Sequence, residues 1–496
     1  MAVVVETRSG RVEGVEGACL SFKGIPYAAP PAGDRRWLPP VREQAWSGVR
    51  DASEFGDDEA QNQMILEQVM GSDSRPKSED ALSLNVWTPG VDGQRPVMVW
   101  IHGGAFQFGA GSTPWYDGTK FAVNGDVVLV TINYRLGPLG FMYLGECCDD
   151  PALAPSGNLG LLDQVAALEW VHECIAAFGG DPGNVTIFGE SAGGGSVATL
   201  MGMAAARPGA LFHKVIAESG AASWSLTREQ ATDRARRVAD ALGIDAGNIA
   251  AWRAASVEDL LTASTALGME TGGDGLPFAP VDDGVVLPVP ALDAIRGGSA
   301  EGVTLLTGTN LDEMTLFNMM DPALASIDDD GLVRRVAHQT KRDGRVIVDA
   351  YRDGRPDASS ADLWTAIASD VLFRMPMVAL LEAQHAHAEV FSYLFSWPTP
   401  AFGGALRSCH AVEIPFVFDN LDQPGVSMFL GAEPPQREIA DPLHQAWLAF
   451  ARSGKPAHET IPAWEPYDLD RRATMHIDLA WELEDDPYGT ERRIWK

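Results

Sequence analysis

The chain has 496 residues, of which 46% are hydrophobic, with 51 glycines and 32 prolines, so it has ample apolar matter for a large core. Its formal net charge is −31 at pH 7. So strong an acidic excess argues against nucleic acid and anionic membrane surfaces as partners and favours solubility.

The first residues, Met1-Ala2-Val3-Val4-Val5-Glu6, lack the basic segment and long apolar stretch of a secretory signal. No apolar run approaches the ~18 residues of a membrane span. The five cysteines, Cys19, Cys147, Cys148, Cys174 and Cys409, are sparse and lack metal-ligand spacing. They fit a reducing, cytoplasmic setting rather than a disulfide framework or a zinc site.

Residues 1–50 read as short strands and turns, stiffened by Pro30-Pro31 and Pro39-Pro40. Residues 56–80 are polar and irregular and are placed to lie over a site. Val97 to Ile101 is a continuous apolar strand that runs into His102-Gly103-Gly104-Ala105-Phe106. Val127 to Ile132 is a second such strand, followed by Asn133-Tyr134-Arg135. Leu161 to Phe178 has helical spacing and stops at Gly179-Gly180. Val185 to Phe188 is β-branched and aromatic and predicts a buried strand. Ala192 to Ala206, rich in Ala, Leu and Met, predicts a helix. A strand follows at Lys214 to Ala217. Thr227 and Gln230 have capping-box spacing and open a helix that Gly243 closes. Val303 to Leu306 and Val390 to Phe395 are two more buried strands. Asp328-Asp329-Asp330 reads as a solvated turn. Apolar strands alternating with helices predict an α/β fold, with a mostly parallel sheet covered on both faces. Residues 244–300 and 318–365 are helical or irregular and read as insertions around a site.

Between strand and helix lies Gly189-Glu190-Ser191-Ala192-Gly193, a Gly-x-Ser-x-Gly turn in the context a nucleophile elbow requires. The following helix would point free N–H groups at developing negative charge. In a parallel sheet, ligands bind at the carboxyl ends of strands. The strand at 97–101 delivers His102-Gly103-Gly104-Ala105, small enough for bare N–H groups to reach an oxyanion. With the N–H of Ala192, those of Gly104 and Ala105 would form a three-donor hole. The strand at 303–306 delivers Asp312-Glu313, and that at 390–395 leads to Ser408-Cys409-His410. A serine, then an acid at 312 or 313, then His410 is the chain order of a nucleophile–acid–base triad on this kind of sheet. The residue types alone do not choose between Asp312 and Glu313.

Taken together, these stretches resemble the type-B carboxylesterases, a family that includes cholinesterases and bacterial para-nitrobenzyl esterases. The resemblance runs nearly end to end. It is carried by Phe22-Lys23-Gly24-Ile25-Pro26-Tyr27, Ser78-Glu79-Asp80-Ala81-Leu82, Gly157-Asn158-Leu159-Gly160, Phe188-Gly189-Glu190-Ser191-Ala192-Gly193-Gly194, Asp312-Glu313 and His410-Ala411-Val412-Glu413-Ile414-Pro415-Phe416. It implies one α/β-hydrolase domain over residues 1–496, with insertions near 56–80, 244–300 and 318–365. It implies Ser191 as nucleophile, Glu313 as acid and His410 as base. Ser219 and Glu413 resemble the family's buried pair behind the histidine.

Two departures stand out. Many relatives have cysteine where this chain has Ala81, closing a loop by a disulfide, so residues 56–80 are expected to be more mobile here. Residues 57–80 contain no tryptophan, which argues against a choline site. Ala105 stands where a third glycine is commoner, and its N–H is retained.

The expectation is a serine carboxylesterase for neutral esters of short to medium acyl chain, working through an acyl-enzyme without metal or cofactor. Its partner would be a small-molecule ester, and the chain a monomer or weak homodimer. The rivals are an amidase or carbamate hydrolase with the same triad, and a non-catalytic cholinesterase-like binding module.

Overall fold

Residues of Val97–Ile101 alternate between two apolar environments. Val97, Val99 and Ile101 join one buried cluster, Met98 and Trp100 the other. A strand apolar on both faces belongs inside a sheet covered on both sides. The same holds for Val128–Ile132, where Val128, Val130 and Ile132 face the first cluster and Leu129 the second. Each such fully buried side chain contributes about 1.5–3 kcal/mol. The computed structural model describes residues 2–64, 70, 75–271, 276–431 and 436–496.

These strands belong to a 13-stranded sheet. From one edge its path runs Ala2–Thr7, Gly10–Glu16, Leu20–Pro26, Ser83–Thr88, Val128–Ile132, Arg95–Ile101 and Gly180–Glu190. It continues through Lys214–Glu218, Thr304–Asn310, Val390–Phe395, Ala473–Ile477 and Glu482–Asp485, with Val49–Asp51 beside Gly10–Glu16. From Val128–Ile132 to Ala473–Ile477 all neighbours are parallel; toward both edges the path is antiparallel, while Val49–Asp51 pairs parallel with Gly10–Glu16. The register levels the strand ends: Gly189 pairs with Ile101 and Ala217, and Glu218 with Gly308.

The sequence reading and the structure differ at several ends. The helix expected to Ala206 stops at Met201, and Ala204–Ala206 forms a separate 3₁₀ turn, because Gly202 and Met203 break it. The strand expected at Val303 to Leu306 extends as Thr304–Asn310, carrying Asn310 to the site. Leu159–Cys174 is the helix, tightening to a 3₁₀ turn at Ile175–Phe178 before Gly179 takes φ 78°. Thr227 and Gln230 form both bonds of the capping box. Asp328 is a helix cap rather than a plain turn: its side chain accepts from Gly331 N at the head of Asp329–Thr340. That helix packs with Gly344–Gly354 and Ser360–Ser369 around a third buried cluster that includes Leu332, Val348 and Trp364.

The expectation of no membrane-length segment also needs correcting. The helical run Ser360–Gln384 is 25 residues and long and apolar enough, by length and composition, to cross a membrane. The sequence hid it because Asp370 and Arg374 interrupt the run. The two neutralise each other as an ion pair, Arg374 Nε to Asp370 Oδ1 at 2.6 Å. Here 61% of its most apolar window is buried within the fold, as in a core helix.

All five cysteines are free thiols. Activity and melting temperature are therefore expected to be unchanged in dithiothreitol. A large loss of either in that reductant is the contrary result.

Candidate active site

The turn after Gly180–Glu190 puts Ser191 at φ 56°, ψ −122°, a conformation strained for any residue with a side chain. The neighbours enforce it. Ser191 N–H donates to Glu218 O at 2.9 Å, and Ser191 O accepts from Gly195 N at 2.8 Å. A Cβ on Gly189 would lie 2.4 Å from Ile101 O, and one on Gly193 only 1.9 Å from the same atom. Only glycine fits at both places, so strand and helix cross closely and lift Ser191 above the sheet.

The loop from Ile101 faces this turn. His102 stacks on Tyr134, with ring centroids 4.6 Å apart, and its carbonyl accepts from Tyr134 Oη at 2.8 Å. Burial pulls the His102 pKa down to about 4, so the imidazole is neutral and shapes the loop. A Cβ on Gly103 would lie 3.2 Å from Ser191 Cβ, so the two loops nearly touch. Gly104 sits at φ 110°, Ala105 at 55° and Phe106 at 59°. Among the described residues, the N–H groups of Gly104 and Ala105 make no hydrogen bond. The alanine at 105 is therefore not a neutral replacement. Its left-handed backbone costs about 1–2 kcal/mol that glycine would not.

Glu313 and His410 meet. His410 Nδ1 lies 2.6 Å from Glu313 Oε2. Glu313 Oε1 accepts from Ser219 Oγ at 2.5 Å and from Asn310 N at 2.7 Å. Asp312 takes no part: its N–H donates to Ser408 O, and its carboxylate lies 3.7 Å from exposed Arg407. Ser219 and Glu413 are both buried. Ser219 serves Glu313, while Glu413 Oε2 accepts from Asn310 Nδ2 at 2.5 Å. Asn310 thus braces both carboxylates, a role the strand assignment missed because it ended the strand at Leu306.

Ser191 Oγ makes no hydrogen bond to His410 among the described residues. His410 Nε2 instead lies 3.0 Å from Glu190 Oε1. Burial would lower the His410 pKa, but Glu190 and Glu313 outweigh it and raise it to about 9. Glu190 itself is pushed up to about 8, chiefly by burial. Glu413 rises to about 7 by burial and by the nearby Glu313. Glu218 is also pushed well up, again chiefly by burial; Trp447 Nε1 donates to its Oε1 at 2.7 Å. Glu190, Glu313 and Glu413 thus all act on the histidine, and Glu218 interacts with Glu413 and Glu190. The sequence reading quoted Glu190 only within the elbow motif, and gave neither it nor Glu218 a part.

A base must be neutral to accept a proton, so kcat/KM is expected to rise with pH through the His410 pKa. Glu190→Gln removes the leading influence holding that pKa up, so the acidic limb should move to lower pH. A limb that stays, or moves to higher pH, is the contrary outcome of the pH–rate profile.

Aromatic rings wall the same space. Phe373 and Phe317 lie 4.9 and 5.2 Å from the His410 ring. Phe373 meets the edge of Trp224 at 5.6 Å, and Trp224 reaches within 3.1 Å of a Cβ on Gly195. Phe317 is 44% exposed, so this wall opens to solvent. The residues come from a loop, the short helix Thr315–Asn318 and a π-helical turn, Asp370–Arg374, distant in sequence.

A parallel sheet with this strand-end elbow is the α/β-hydrolase architecture, and the site is built for acyl transfer. The model of the carboxylesterase family matches residues 1–495, and the chain belongs to that family. It is 39% identical to a para-nitrobenzyl esterase of Bacillus subtilis, over 99% of this chain and 98% of that protein. It is 36% identical to a phenmedipham hydrolase of Pseudarthrobacter oxydans, over 96% of this chain and 94% of that one. A solved carboxylesterase structure from Geobacillus stearothermophilus superposes with TM-score 0.91 at 42% identity, covering 99% of this chain and 100% of that one. The protein is a serine carboxylesterase.

Proposed function

We propose that Ser191, His410 and Glu313 form the catalytic triad and that the N–H groups of Gly104, Ala105 and Ala192 form the oxyanion hole. The observation that carries this is the strained Ser191, flanked on one side by two unspent N–H groups and on the other by the Glu313–His410 pair. Substrate binding turns His410 Nε2 from Glu190 to Ser191 Oγ. Catalytic hydrogen bonds of this kind often tighten only in the complex. His410 takes the serine proton as Oγ attacks the ester carbonyl. Glu313 fixes the Nδ1–H tautomer and stabilises the imidazolium. The tetrahedral oxyanion rests on the three N–H groups, each worth about 3–4 kcal/mol of barrier. His410 then gives the proton to the leaving alcohol, and a water attacks the acyl-enzyme by the same route in reverse.

The substrates are neutral esters of short to medium acyl chain, with an apolar or aromatic group lying along Trp224, Phe373 and Phe317. The charge of −31 supports a small neutral substrate over nucleic acid or an anionic membrane. Residues 57–80 lack a tryptophan to face a quaternary ammonium, a contact worth ~0.5–2 kcal/mol. The test is kcat/KM for p-nitrophenyl butyrate, octanoate and palmitate beside butyrylcholine at moderate salt. Butyrate or octanoate should lead; a preference for palmitate or the choline ester would overturn the substrate reading. Matched amide and carbamate analogues separate the rival bond types, with the ester expected to be fastest.

A further inference from the structure

We propose that Gln61 is a positioning residue for the oxyanion loop, clamping Gly109 so that the N–H groups of Gly104 and Ala105 stay aimed at the reacting carbonyl. The proposal rests on the reading of those groups as the oxyanion hole.

Gln61 follows the short strand Asp58–Glu59 and is buried, 4% exposed. Its Oε1 accepts from Gly109 N at 2.7 Å, and its Nε2 donates to Gly109 O at 2.9 Å. The second Nε2 hydrogen goes to Glu59 O at 3.0 Å. One side-chain amide therefore grips both backbone groups of a single glycine, as a neighbouring strand would, and has both its hydrogens in use. The segment that carries Gln61 is tied to its neighbours again nearby: Ser112 Oγ donates to Asp58 Oδ1 at 2.7 Å, and Asn133 Nδ2 to Asp57 O at 3.1 Å.

Gly109 transmits that grip to the donors. It sits at φ 109°, and a Cβ there would lie 2.5 Å from His102 Nδ1 and 2.7 Å from Gly103 O. Its backbone is thus pressed against the two residues that precede the hole. Between them the loop closes on itself, with Gly104 O accepting from Gln107 N at 2.9 Å and Phe108 N at 3.0 Å. Inside this closure Ala105 and Phe106 are both held at positive φ. Such conformations persist only where the surroundings over-determine them. With the Gly109 end unclamped, those two residues have reason to relax toward negative φ, which swings the Ala105 N–H away.

The test uses the full chain with Gln61→Met, which keeps length and bulk but loses all three bonds, and Gln61→Glu, which keeps only the acceptor. The readouts are kcat and KM for p-nitrophenyl butyrate, the inhibition constant of an aryl trifluoromethyl ketone, and melting temperature. The ketone adds to the serine and places an oxyanion in the hole, so it reports donor alignment directly. In Gln61→Met, kcat should fall about tenfold with KM held within about twofold, and the inhibition constant should rise by the same factor as kcat falls. Gln61→Glu should move in the same direction. A folded Gln61→Met with kcat and ketone affinity like the parent overturns the clamp. So does a rise in KM alone. If Gln61→Met does not fold, Gln61→Glu with parental ketone affinity overturns it instead. Failure of the oxyanion-hole reading looks different: the parent itself would bind the ketone no more tightly than ester.

Discussion

Glu313→Gln is expected to lower kcat by about four orders of magnitude, whereas Asp312→Asn should change it by less than about tenfold. The geometry separates two adjacent acids. Glu313 is fully buried and stands 2.6 Å from His410 Nδ1. A carboxylate there accepts Nδ1–H and leaves Nε2 free as the base. An amide can present its NH2 to Nδ1, which favours the opposite tautomer, with the proton on Nε2 and no base toward Ser191. It also loses the charge that stabilises the imidazolium. Asp312 meets Arg407 at the surface and does not touch the histidine. Steady-state kinetics of the two variants decide the matter, and the reverse ranking would move the acid to Asp312.

Ser191→Ala is expected to lower kcat by about a million-fold while leaving melting temperature near that of the parent. On the proposed reading the Ser191 hydroxyl is the group that attacks a carbonyl held by the Gly104 and Ala105 donors. Alanine keeps the Cβ, and the Ser191 N–H and C=O bonds to Glu218 and Gly195 are backbone bonds that alanine also makes. Turnover by the variant within about a hundredfold of the parent would mean another nucleophile.

The elements that could be read from the chain are those whose signal is local. Gly189, Ser191 and Gly193 declare a tight turn because only their spacing lets strand and helix cross at Ile101. The apolar runs at Val97 and Val128 declare buried strands because both faces are covered. What could not be read depends on distant partners. Asn310 joins Glu313 to Glu413 only because its strand, Thr304–Asn310, runs on past the apolar stretch and pairs with Val390–Phe395. Glu190 is an ordinary motif residue until the fold brings His410 Nε2 to 3.0 Å. Ser219 and Glu413 were named by likeness, but their partners, Glu313 and Asn310, come only from the fold. Phe317, Phe373 and Trp224 lie in three separate stretches with no shared periodicity, so no window along the chain joins them into a wall. The mobility expected of residues 56–80 falls partly on residues 65–69 and 71–74, outside the described residues, while Asp57, Asp58 and Gln61 are tied to the neighbouring loops.

The central claim is that one strained serine carries the acyl group. The direct measurement is the intact mass of the protein after reaction with a fluorophosphonate, followed by peptide mapping. One adduct per chain is expected, on the peptide containing Ser191, appearing at the rate at which esterase activity disappears and absent from Ser191→Ala. An adduct on any other serine, or complete inactivation with Ser191 unmodified, would contradict the account.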